Sequence, residues 1–288
     1  MSGELITADG QLQYGSLLMG TGTPYRLAAG GLRGWNDLPP LDQANVSRPS
    51  AAGSWPGSIY PGERTIETDL TLYVADVSTY PAVLAALRAA TAPSGPEQPL
   101  VIQMGGQQLQ CGVRCTGRLG GEDGYALGVD RVSLKWTATD PRRYSVAAYS
   151  ADTAPPVGGT GLTWPISWPL SWGSSGTGGT VYIANAGDWN TPLTITIRGP
   201  LTTPAVYRQD TYDVLELDTT LAAGDVVVID TLADTLTLNG TPAKDRLTDR
   251  SAPVNSFLMP PGNTGLALRA AVTDPAASVT AVWRSAYM

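Results

Sequence analysis

From Thr180 to Met288 the sequence repeats one pattern, a short run of alternating apolar and polar residues followed by a turn. The runs are TVYIANAG, LTITIRG, AVYRQD, DVLELD, DVVVID, DTLTLNG, GLALRAAV and SVTAVWRSAY. A period of two sends successive side chains to opposite faces of a strand, so most runs carry one apolar face that needs cover. Eight such runs, punctuated by Gly, Asn, Asp and Pro, do not suit a helical bundle. They predict a β-sandwich over residues 180–288.

Upstream the strand signals are more widely spaced. In ERTIETDLTLYVAD, Ile66, Leu70, Leu72 and Val74 alternate with Thr65, Thr71 and Tyr73, which reads as a half-buried strand. PLVIQMGGQQLQCGVRCTG is two runs joined by Gly105-Gly106, a hairpin signature. Val132, Leu134 and Trp136 share a face in GYALGVDRVSLKWTATD. One helix is expected, over residues 78–92. Ser78 or Thr79 can cap it, Pro81 suits its first turn, and Val83, Leu84, Leu87 and Ala90 form its stripe. Residues 1–62 show little period. TPYRLAAGGLRGW suggests a short strand and a turn, and LPPLDQANVSRPSAAGSWPGSIYPG reads as a long loop, too rich in proline for a central strand. The expected fold is mainly β: a β-rich domain with one helix over 1–146, then the sandwich over 180–288.

A connector, residues 147–179, is expected between them. It contains Trp164-Pro165, Trp168-Pro169 and Trp172-Gly173, followed by a Gly/Ser run. Prolines at four-residue spacing favour extended backbone. Tryptophans are too large to leave in water without a reason, so Trp164, Trp168 and Trp172 are expected to pack on a domain or in an interface.

Composition removes several classes of function. The chain has no histidine, which excludes zinc sites built with His, Ser-His-Asp triads and Cys-His dyads. Its net charge is −7 and its Lys and Arg residues are scattered singly, so the basic footprint of a nucleic-acid binder is missing. No apolar run approaches the roughly 20 residues of a membrane span. MSGELITADG has neither a basic nor an apolar leader region, so no secretory signal is expected. Only 15% of the residues are charged, against about 25% in ordinary soluble domains. Such a surface suits burial against other chains, and a surface of Ser, Thr and Gln could equally account for it. Cys111 and Cys115, on one face of a strand, would sit about 13 Å apart at the usual rise, beyond the reach of a disulfide. Free thiols are expected.

The acidic residues of the sandwich are the remaining candidates for chemistry. Glu216 and Asp218 fall on a strand face that reads as solvated. Asp225 follows a turn glycine, and Asp230 and Asp234 bracket Thr231-Leu232-Ala233 between two strands. A calcium loop would need denser oxygen ligands. In PAKDRLTDR the signs alternate, with Asp245/Asp249 and Arg246/Arg250 at helical spacing, a salt-bridged turn or short helix. Neither a nucleophile elbow nor a phosphate loop occurs. No catalytic, cofactor-binding or metal residue is assigned.

Taken together, several segments resemble the distal tail and minor tail proteins of long non-contractile-tailed bacteriophages. TGLTWPISWPLSWG resembles that family's linker. It is followed in the family's order by NAGDWNTPLTITIRGPLTTPAVY, LAAGDVVVIDTLADTLTLNG, NSFLMPPGNTGLALRA and SVTAVWRSAYM. TPYRLAAGGLRGW and SWPGSIYPGERTIETDLTLYV resemble its first domain. The resemblance implies a structural protein of the virion, at the distal end of the tail, assembled in the host cytoplasm. It implies a ring, commonly of six subunits, in which the first domain is a belt around a channel that DNA passes through and a galectin-like sandwich sits outside. The implied partners are other copies of the chain, the tail tube, the tape-measure protein and the receptor-binding machinery.

Two other readings stay open from the residues. Trp35, Trp55, Trp164, Trp168 and Trp172 could form a sugar-stacking platform in a carbohydrate-binding adhesion module. Asp230 and Asp234 could act as paired carboxylates in a hydrolase.

Overall fold

The computed structural model describes residues 3–93, 95–121, 124–156, 168–169 and 178–288. The chain divides into two compact units, Met1–Val146 with Met288, and Ala147–Tyr287.

The first unit is built on antiparallel strands. A short hairpin, β1 (Leu12–Tyr14) and β2 (Leu17–Met19), is followed by β3 (Tyr25–Arg33). Four short strands come next: β4 (Leu41–Gln43), β5 (Val46–Ser47), β6 (Ser54–Trp55) and β7 (Ile59–Pro61). Then come β8 (Arg64–Tyr73), α1 (Tyr80–Ala90), β9 (Gln98–Met104), β10 (Gln107–Gly120), β11 (Val129–Ala138) and β12 (Arg143–Ser145). The main strand order is β2-β1-β9-β10-β11-β8-β3, with β12 beside β10. β10 is long enough to serve two sheets. Its first half pairs with β9 and β12, and from Arg114 onward it pairs with β11, across an irregularity between Cys115 and Gly117.

The alternation in the sequence becomes the inside and outside of these strands. β8 buries Ile66, Thr68, Leu70 and Leu72, and β11 buries Val132, Leu134 and Trp136. Trp136 meets Tyr14 of β1 with ring centroids 4.6 Å apart, and its indole N–H donates to Thr68 Oγ1 at 3.1 Å. The one polar atom of this large side chain is thereby satisfied inside the core. Gly105 and Gly106 both have positive φ, as the turn between β9 and β10 requires.

The helix is shorter than its sequence signal and is capped differently. A 3-10 turn, Val77–Thr79, precedes it, and the Asp76 carboxylate accepts the Ser78 amide at 2.9 Å. Thr79 makes no side-chain cap and instead donates its hydroxyl to the Asp76 carbonyl. Asp is as good a cap as Ser, and the extra turn moves the start of the helix downstream. Leu87 is buried together with Tyr80, while Val83, Leu84 and Ala90 are half-buried. Both cysteines are free. Burial pushes the Cys111 thiol up to about 12, so it is not a thiolate at neutral pH.

The second unit is a two-sheet antiparallel sandwich. Its strands are β13 (Tyr149–Thr153), β14 (Thr180–Asn185), β15 (Leu193–Arg198), β16 (Leu201–Thr202), β17 (Ala205–Arg208) and β18 (Val214–Glu216). They continue with β19 (Thr220–Leu221), β20 (Val226–Asp230), β21 (Thr235–Leu238), β22 (Thr241–Pro242), β23 (Gly262–Arg269), β24 (Val272–Thr273) and β25 (Ser278–Trp283). One sheet runs β13-β25-β15-β20-β21-β22 and the other β14-β23-β17-β18, with a small β19-β16-β24 sheet besides. Ile195, Ile197, Val227, Ile229 and Val279 of the first sheet share one core with Val181, Ile183, Val206 and Leu266 of the second. Phe257 and Met259 of the β22–β23 connection lie in the same core.

β13 lies in the stretch read as connector. It pairs along β25, and Tyr149 lies 6.0 Å from Trp283, ring to ring. The strand gave no clear signal because, at a sheet edge, it buries no side chain fully.

Two outcomes are expected. Phe257→Ala should lower stability by about 3–5 kcal/mol, measured by urea denaturation. Iodoacetamide should leave Cys111 unlabelled in the native protein and label both cysteines after unfolding, measured by peptide mass spectrometry.

Candidate assembly surfaces

Between β3 and β8 the chain leaves the sheet. The proline-rich stretch expected as a loop is a two-stranded arm, in which β4 pairs with β7 and β5 with β6. Backbone bonds hold its length: Gly62 to Pro40 at 2.7 Å, Ala44 to Ser58 at 3.1 Å, and Arg48 to Gly53 at 3.2 Å, amide to carbonyl. Between the two ribbon segments the Asn45 side chain takes over, accepting the Gly57 amide and donating to Gln43 Oε1, both at 2.9 Å. Prolines are tolerated because both strands of a two-stranded ribbon are edges.

The base of the arm is fixed by a buried cation. Arg64, at the start of β8, is 1% exposed. Its Nη1 donates to the carbonyls of Gly34, Trp35 and Asp37 at 2.9, 3.1 and 2.6 Å, and its Nε donates to the carbonyl of Pro141 at 2.7 Å. Burial works against the charge, and the neighbouring Arg143 adds to that effect. Four carbonyl dipoles oppose it. Arg143 reinforces the base: its guanidinium lies 5.6 Å from the ring of buried Trp35, and its Nη1 donates to Asn36 Oδ1 at 2.6 Å. Gly34 has φ +77, and a Cβ there would lie 2.0 Å from the Thr65 carbonyl oxygen. The chain turns outward at a point where only glycine fits.

Beyond this base the arm has no core. Leu41, Val46, Trp55, Ile59 and Tyr60 are all exposed, Trp55 at 51% and Tyr60 at 65%. Only Asp42 and Arg48 carry charge between Leu41 and Pro61. An isolated two-stranded ribbon is marginal in water, and clustered exposed apolar side chains mark an interaction surface.

The tryptophans singled out in the sequence are not gathered into a platform among the described residues. Trp35 is buried at the base of the arm, Trp55 lies on the arm, and Trp168 is 84% exposed. Trp164 and Trp172 lie outside the described residues.

The sandwich carboxylates are committed to turns. Asp225 accepts from Asn239 Nδ2 at 2.8 Å and from the Ala222 amide at 2.7 Å, and these bonds, the first above all, hold its carboxyl below the usual range. Asp230 Oδ1 accepts the amides of Leu232 and Ala233, both at 2.9 Å. Asp234, at φ +55, pairs with Lys244 at 2.7 Å. Glu216 is not on an open face: it accepts from Thr248 Oγ1 at 3.0 Å, and Arg250 lies 3.5 Å away. The segment 244–246 is a 3-10 turn in which Arg246 meets Asp245, the salt-bridged turn of the two expected forms, while Arg250 reaches Glu216. No group of three or more acidic or thiol ligands that could hold a metal occurs among the described residues.

Sequence reasoning missed the arm. The signal was there in the apolar residues of GSIYP and in the turn-forming RPSAAGS, but proline density masked it.

Residues 186–287 match the family model of the siphovirus-type tail component, C-terminal domain. Among solved structures, the chain is similar to the Dit protein of phage SPP1, described as a paradigm of the hub adsorption apparatus in phages infecting Gram-positive bacteria. The TM-score is 0.63 at 13% identity, covering 92% of this chain and 94% of that one. It is also similar to a chain of the phage P2 baseplate in its activated conformation with calcium, with a TM-score of 0.51 at 12% identity, covering 95% and 97%. A search of curated proteins found no match.

The arm's anchor gives a direct prediction. Arg64→Ala strands four carbonyls and should cost the first unit about 3 kcal/mol, with faster proteolytic cleavage within residues 38–62. Arg64→Lys should recover only part of this, because an ammonium cannot present the guanidinium's fork. Urea denaturation and limited proteolysis check both.

Proposed function

We propose, from the match of residues 186–287 to the siphovirus-type tail component model, that the protein is a structural subunit of a phage tail tip or baseplate. Copies form a ring, of six subunits, that joins the tail tube and tape-measure protein to the tip and receptor-binding machinery. The observation that carries this reading is the fold likeness to a hub protein over 92% of the chain, which spans both units. A low-charge surface and a protruding apolar arm suit a protein that works by being assembled. The role is mechanical and non-enzymatic: Asp225, Asp230 and Asp234 hold turns, which supports that reading over a hydrolase. The ring sits in the virion at the distal end of the tail, and DNA passes through its channel.

Electron microscopy of virions carrying a tagged copy of the chain tests the proposal. The tag should appear at the distal end of the tail, repeated around the tail axis. Its absence from purified virions, or its presence on the capsid, would overturn the assignment.

A further inference from the structure

The exposed arm is not the only uncovered apolar surface of the first unit. At the far end of β8, Tyr73 stands directly across from Val129 of β11 in the ladder. Leu127 is two residues from Val129, and Val77 closes the group: a Cβ added at Gly128, between them, would lie 3.3 Å from Val77 Cγ2. All four side chains are exposed, Leu127 most of all at 78%. Two cations border this patch. Arg26 and Arg131 flank Thr71 on the neighbouring strands, and the Arg26 guanidinium stacks 4.5 Å from the centre of the Tyr73 ring.

The two surfaces lie at opposite ends of one strand. The arm enters β8 at Arg64 and the patch lies at Tyr73, nine residues along, which is about 30 Å at the usual rise. The arm extends from the Arg64 end for about 26 Å over residues 40–48. Within one chain both surfaces remain exposed, so the arm does not cover its own patch. Their chemistry is matched. Each offers aliphatic residues with a tyrosine; on the arm Asp42 lies across the ladder from Tyr60 and is opposite in sign to Arg26 and Arg131 at the patch, while the arm's one cation, Arg48, lies over Trp55.

We infer that the arm of one copy docks on the Tyr73–Val77–Leu127–Val129 patch of the next copy. The inference rests on the reading of the protein as a ring subunit and names the joint of that ring. Because the two surfaces differ, the contact is head-to-tail. Each copy added leaves one arm and one patch free until the circle closes.

Two single substitutions at exposed positions test it: Ile59→Asp on the arm and Leu127→Asp on the patch. Circular dichroism and thermal unfolding should match the wild type. In native mass spectrometry the wild-type chain should form oligomers above the dimer, and each variant alone should be monomeric. An equimolar mixture should give a 1:1 heterodimer and nothing larger, since one intact arm and one intact patch remain. If the wild type assembles and either variant assembles equally well, or the mixture yields no heterodimer, the arm-to-patch joint is wrong while the ring reading stands. Dimers of Leu127→Asp alone would indicate an arm-to-arm contact and overturn the inference. A wild-type chain that stays monomeric at every concentration overturns both.

Discussion

A guanidinium buried among carbonyl oxygens is the interaction on which the first unit's outward form depends. Arg64 holds the turn Gly34–Asp37 on one side and Pro141 on the other, and so joins the base of the arm to the chain segment after β11. A lysine could keep the charge but not reach so many acceptors, and an apolar residue would leave the carbonyls unpaired. The arm beyond needs this anchor because it has no core of its own. Its backbone is satisfied by ladder bonds and by Asn45, while its large side chains face water. A ribbon so constructed is marginal in water by itself.

The second unit solves a different problem. It has a complete core between two sheets, and it spends its polar side chains on turns. Asp225 and Asn239 tie the start of β20 to the end of β21, and Asp230 closes the loop between those strands. Thr231 reaches into the core, where its hydroxyl accepts the Leu193 amide at 2.9 Å. Residues that looked like a possible acid pair are the joints of a rigid module.

How much of this was legible in the sequence follows from where each residue's partner sits. Strands that bury one face wrote their period plainly, as β8, β11, β15 and β20 did with Ile66 through Leu72, Leu134, Ile195 and Ile229. The hairpin turn at Gly105-Gly106 was legible because the turn demands positive φ at both residues. The arm was not, because its apolar residues have no burial within the chain to enforce alternation, and its prolines resembled a loop's. β13 escaped for a related reason, as an edge strand with no fully buried side chain. Arg64 gave no local sign at all. Its carbonyl partners lie 27 to 77 residues away, and carbonyls carry no sequence signature.

The central claim is that this chain is a ring-forming subunit whose arm is the joint between neighbours. Disulfide trapping tests it most directly, with Ile59→Cys and Leu127→Cys combined in a chain whose Cys111 and Cys115 are replaced by alanine. Oxidation of the assembled protein should give a ladder of covalent oligomers ending in one closed species, and each single-cysteine chain should give no such ladder. A double-cysteine chain that stays monomeric on non-reducing gels while the protein is assembled would contradict the account.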